Sequence, residues 1–160
     1  MYDEIEKTYL YNPFEVRMWS DEQIEVQVKK LIPRYKADDD TLWGMAKNVE
    51  TLANIMYLFG EMIARLTREY GLMKISCDAK EKKQVTIERK KWVRENIGEK
   101  PPAMSYFEGE ASEFVMDEKD KTMKKYEQLT RFKQAYDSYE QIMNAIKKKM
   151  EAVRFEEFNK

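Results

Sequence analysis

The sequence predicts an all-α protein: long helices with heptad seams, forming an αα-hairpin or helical bundle. Three observations predict it. Apolar residues recur at alternating spacings of three and four along two long stretches. Only 5 Gly and 4 Pro interrupt 160 residues. Charged side chains make up 37% of the chain, which suits long helices with solvated faces and not a turn-rich sheet protein.

Residues 1–40 read as an N-terminal arm with a short helix. Residues 1–19 show no clean period. Tyr9, Tyr11, Phe14, Val16, Met18 and Trp19, broken by Asn12-Pro13, suggest an extended arm that buries aromatics. Ser20-Asp21-Glu22-Gln23 has the form of a capping box, with Ser at the N-cap and Gln at N3. Ile24, Val28, Leu31 and Ile32 follow at helical spacing. Pro33 and the acidic run Asp38–Asp40 end that helix, and Asp40 is placed to cap the next one.

Residues 41–160 read as one helical coiled-coil domain: helix 41–96, loop 97–116, helix 117–157. In the first helix Leu42, Met45, Val49, Leu52, Met56, Phe59, Ile63, Leu66, Tyr70 and Met73 form an a/d seam. Ala46, Ala53, Gly60 and Thr67 recur every seven residues beside it, a line of small residues that lets another backbone come close. After Cys77 the seam turns polar, with Lys80, Gln84 and Lys91 at its positions. Gly98, Pro101, Pro102 and Gly109 mark the loop. The second seam is Leu129, Phe132, Tyr136, Tyr139, Met143, Ile146, Met150 and Val153. Both stripes fit core packing within one bundle. Two thin seams bury little by themselves, however, and with the aromatic arm they favour self-association. Leu42, Val49, Leu52, Met56, Phe59, Ile63, Leu66, Phe132, Tyr136, Tyr139, Met143 and Ile146 are the residues expected to hold subunits together.

Composition excludes several chemistries. With no His and one Cys, neither a structural zinc site nor a Cys-His or Ser-His catalytic pair can be built from this chain. The acidic start lacks a signal-type apolar region, and Leu52–Leu66 contains Asn54, Glu61 and Arg65, too short and polar to span a bilayer. A cytoplasmic location away from membranes, with a reduced thiol, is expected. No Gly-rich phosphate loop occurs. Glu88-Arg89-Lys90 has the Glu-x-Lys form of metal-dependent nucleases without their upstream acidic motif. Carboxylates one helical turn apart occur at Glu22/Glu25 and Glu110/Glu113, the second pair in the expected loop. No enzyme, metal or cofactor is therefore expected.

The net charge of −1 conceals alternating blocks. Residues 1–40 carry −4, residues 79–94 carry +5, residues 99–120 carry −5 and residues 121–160 carry +4. The basic segment Lys80, Lys82, Lys83, Arg89, Lys90, Lys91 and Arg94, with Trp92 among them, is the candidate nucleic-acid contact. Phosphates need cations along one track, and bases need an aromatic face to stack on. A solvated helix face with Trp92 packed on a neighbour would read the same way. Lys147–Lys149 and Arg154 sit near a helix C-terminus, where cations complement the dipole regardless of ligand. The acidic stretch Glu108, Glu110, Glu113, Asp117, Glu118 and Asp120 lacks the alternating ligands of a calcium loop and reads as loop solvation.

One family shares this order of features. An apolar helix leads into Lys74-Ile75-Ser76-Cys77-Asp78-Ala79-Lys80-Glu81-Lys82-Lys83, then Val85-Thr86-Ile87-Glu88-Arg89, a polar linker and a last long helix closing on Met150-Glu151-Ala152-Val153-Arg154-Phe155-Glu156. Over residues 45–158 the chain resembles the UvsY-type recombination mediators of tailed phages. The resemblance implies a ring-forming helical protein of the host cytoplasm. It would bind single-stranded DNA and load a RecA-like recombinase onto strands coated by single-strand-binding protein. Lys82 and Lys83 match the family's Lys-Lys pair and Arg89 its final Arg, while Ile87 stands where the family has Lys. A different class of function is also open: a helical scaffold, assembly chaperone or inhibitor that binds a host or virion protein without nucleic acid.

Overall fold

A computed structural model describes residues 13–159. Helices α1 (Pro13–Met18), α2 (Asp21–Leu31), α3 (Leu42–Glu95), α4 (Met104–Phe114) and α5 (Met116–Phe158) follow in order, with a 3-10 turn at Ile32–Arg34. No strand occurs among the described residues, so the fold is all-α. The chain divides into two compact units. The first takes the chain up to Ala64 and from Arg131 onward, and the second is Arg65–Thr130. The division cuts both long helices and does not fall at residue 40.

In the first unit α2 opens on the capping box. The Ser20 Oγ accepts the Gln23 N–H at 3.2 Å and the Gln23 Oε1 accepts the Ser20 N–H at 2.7 Å, so two orphan donors are satisfied at once. The buried side of α2, Ile24, Val28 and Leu31, packs on Ile55, Leu58 and Met62 of α3. Val16 of α1 joins them, fully buried. The extended arm expected over residues 1–19 is thus corrected where it is described. Pro13 opens a helix, at the position where its missing N–H costs nothing, and Val16 enters the core. Tyr9, Tyr11 and the Phe14 side chain lie outside the described residues. Met18 is exposed, and Trp19 packs against the core.

Helix α3 starts on a cap one residue later than expected. The Thr41 Oγ1 accepts the Gly44 N–H at 3.0 Å. Asp39, not Asp40, braces that cap by accepting both the N–H and the hydroxyl of Thr41 through Oδ1. Asp40 pairs instead with Lys149 of α5. Asn48 is buried and closes two bonds on one residue: its Nδ2 donates to the Lys36 carbonyl at 2.7 Å and its Oδ1 accepts the Lys36 N–H at 2.8 Å. The two seams meet within the chain. The Phe59 ring lies 5.5 Å from both Phe132 and Tyr139 of α5, and the Tyr136 ring covers Gly60.

In the second unit α3 continues without an apolar seam beyond Cys77. Its core is small: Leu66, Cys77, Phe107, Ala111, Val115 and Leu129 are the buried apolar residues. Tyr70 packs on Tyr126 at 5.2 Å. Ion pairs join the helices at Lys80–Glu118 (3.0 Å), Lys119–Glu81 (2.7 Å) and Lys125–Glu69 (2.8 Å). The loop expected over 97–116 is corrected. Gly98 turns the chain with φ +86°, and Pro101-Pro102 keeps it extended. Residues Met104–Phe114 then form α4. Phe107, Ala111 and Val115 recur at helical spacing and give this segment an apolar side to bury. Gly109 alone does not outweigh that burial.

Candidate nucleic-acid interface

The second half of α3 has an inner and an outer side. Cys77, buried, and Glu81, paired with Lys119 of α5, mark the inner one. At roughly 100° per residue, Lys82, Arg89, Lys90, Lys83 and Arg94 fall on the opposite side, interleaved with Thr86 and Val93. All five cations are exposed. Among the described residues none of the five has an ion-pair partner, whereas Lys80 is held by Glu118. Lys91 is exposed on the flank below Lys80. Near its C-terminal end the cationic side forms an open groove of about 480 Å³, lined by Thr86, Arg89, Lys90, Val93, Arg94 and Met104.

Trp92 is half-buried and lies roughly a third of a turn away from the centre of the cationic side. Its carbonyl accepts both the N–H and the Nδ2 of Asn96, which ends the helix. The structure therefore brings the cations together without an aromatic ring among them. Cations without a stacking ring suit phosphate contacts and not base readout. Of the other basic run, Lys149 is tied to Asp40.

The residues expected to hold subunits together are covered to different degrees within the chain. Leu52, Met56 and Leu66 are buried, and Leu42, Val49, Phe59, Ile63, Phe132, Tyr136, Tyr139, Met143 and Ile146 are half-buried. A second stripe on α3 escaped the periodicity reading: Asn48, Thr51, Ile55, Leu58 and Met62, all buried. Its spacings of three and four were present in the sequence, one residue out of step with the seam. Helix α3 is therefore covered on two sides in the first unit.

Catalytic constellations are sparse. Glu110 and Glu113 share one helical turn of α4, not a loop. Even so, no group of three or more Cys, Asp or Glu side chains among the described residues is arranged to hold a metal ion. Glu88 accepts from the Gln84 Nε2 at 2.7 Å. Burial pushes the Cys77 thiol pKa up, opposed by the nearby Lys119 charge, which keeps this sulfur a poor nucleophile near neutral pH. No helix is long and apolar enough to cross a membrane among the described residues. Comparison with protein-family models, curated proteins and solved structures gives no match for this chain.

Proposed function

We propose that this chain is a non-enzymatic single-stranded-DNA-binding accessory protein of recombination or replication, working as a homo-oligomer through the basic half of α3. The observation that carries the reading is the set of five exposed cations, Lys82, Lys83, Arg89, Lys90 and Arg94, left without ion-pair partners among the described residues. Elsewhere in the same unit the lysines at 80, 119 and 125 are spent on carboxylates. Cations spaced over several turns of one helix can neutralise successive phosphates and release their counterions. With no ring on that side, binding would be tolerant of sequence and steeply salt-dependent. A mediator of the UvsY type, handing strands from a single-strand-binding protein to a RecA-like recombinase, needs that kind of grip: firm at low occupancy and easily exchanged.

The test is anisotropy of a labelled oligothymidine across a salt series. Removing two phosphate contacts in Lys82→Ala/Arg89→Ala should flatten the plot of log affinity against log salt by about 1.4. Low-salt affinity should fall by about tenfold or more. Unchanged low-salt affinity in that variant would end the strand-binding reading. A scaffold or inhibitor role draws on a different observation: Tyr106 and Phe114 stand exposed among acidic residues on α4. No binding of any nucleic acid at low salt, with a protein copurifying, would select that role.

A further inference from the structure

The second unit carries two stripes of opposite charge, each mixed with exposed apolar groups. On the outer side of α3, Val93 (50% exposed) sits among Lys82, Arg89, Lys90 and Arg94, and Ile75 (68%) and Leu72 (59%) lie on the same side roughly two to three turns earlier. On the outer side of α4 and the start of α5, Tyr106, Glu110, Glu113, Asp117 and Asp120 follow at spacings of four and three. All five are exposed. Phe114 and Met116 beside them are 65% and 59% exposed. The inner side of α4 is taken by Phe107 and Ala111, so the acidic stripe is turned away from the unit's own core. Among the described residues none of its four carboxylates has an ion-pair partner, in contrast to Glu118.

The stripes also match in length. At 1.5 Å per residue Lys82 to Arg94 spans roughly 18 Å of one helix, and Tyr106 to Asp120, across the break at Val115 between α4 and α5, spans at most roughly 21 Å. We infer that the occupant of the basic side of α3 is the acidic α4–α5 edge of a second copy of this chain. Opposite charges bring the two stripes together, and Val93 against Phe114 and Met116 supplies the apolar contact. The two surfaces differ, so the contact is heterologous and can propagate from copy to copy. It is a means of assembly separate from the apolar seams. It uses the same cations as the proposed strand-binding face, so a strand and a second copy compete for that face. Assembly itself needs no nucleic acid, so the two readings fail separately.

Light scattering of the pure full-length chain at low salt, without oligonucleotide, tests it. The expected mass exceeds one chain and falls to one chain as salt rises. Arg89→Glu/Lys90→Glu and Glu110→Lys/Glu113→Lys should each weaken assembly by about tenfold or more, with helicity by circular dichroism unchanged. An equimolar mixture of the two variants should assemble again, because each then supplies the charge the other lacks. A one-chain mass for the unaltered protein at low salt, or a mixture no heavier than its parts, would overturn the inference.

Discussion

The two halves of α3 are covered in different ways. Between Met45 and Met62 the helix is buried along two stripes, with α2 over Ile55, Leu58 and Met62 and α5 over Phe59. Apart from Asn48, bonded to the Lys36 backbone, and the buried Thr51 and Asn54, the contacts are carbon on carbon. Beyond Arg65 the buried set shrinks to a few residues, and ion pairs at 81 on the inner side and at 69 and 80 on its flank join the helices. Apolar burial contributes roughly 1.5–3 kcal/mol for each large side chain. An exposed ion pair contributes up to about 1 kcal/mol and is screened by salt. One continuous helix thus passes from a region held by the hydrophobic effect to one held partly by charge. Where carbon contacts thin out, the opposite side is free to carry cations.

Ways to break or sharpen this contrast can be ordered by size. Phe107 is the largest side chain in the second unit's core, 2% exposed, and Phe107→Ala should cost about 3–5 kcal/mol. Hydrogen exchange should then show protection lost in α4 and kept around Ile55 and Leu58. Equal loss in both places would mean that the two units open together. Leu58→Ala removes a fully buried side chain and should cost about 2–5 kcal/mol, read from the midpoint of urea unfolding. A cost below 1 kcal/mol would contradict the dense packing assigned to the first unit. Gly44→Ala drives a methyl into the Asp39 carboxylate, and loss of the braced cap should cost about 1 kcal/mol. Bonds from Thr41 hold the Asp39 pKa below the usual carboxylate range. In the variant an NMR titration should find it raised toward that range.

Smaller effects belong to the charged half. Lys119→Ala loses the Glu81 pair and the bond to Ser112 Oγ at 2.6 Å. It should cost under about 1 kcal/mol, and the difference from the unaltered protein should fade in high salt. The Lys80 hydrogen bond depresses the Glu118 pKa. A carboxyl lowered on folding stabilises the fold above its unfolded pKa and loses that contribution as pH falls through the folded value. The advantage over Lys80→Ala should therefore be present at neutral pH and vanish in acid below the normal carboxylate range. A difference that persisted there would locate Lys80's contribution in packing.

Periodicity made the long helices legible because a repeat of three and four says that one side wants covering. It did not say by what. Phe59 and Tyr139 look the same whether their partner is in the same chain or another, and the fold spends them within the chain. Helix α4 was hidden because Gly98, Pro101, Pro102 and Gly109 are strong breaking signals read along the line. The spacing of Phe107, Ala111 and Val115 was the weaker signal and prevailed through burial. Trp92 shows the same limit in the site: adjacent to Lys91 and Val93 in sequence, it is turned by the helix to another side. The capping box at Ser20 was fully legible because its chemistry lies within four residues.

Cys77 gives the second unit a built-in clock. The sulfur is buried at 4% exposure and its thiol pKa is raised, so a thiol reagent reaches it only when the inner side of α3 comes away from its cover. Labelling of this single thiol counts those openings directly. Its rate should climb as Lys119 or Phe107 is removed and stay level when Leu58 is.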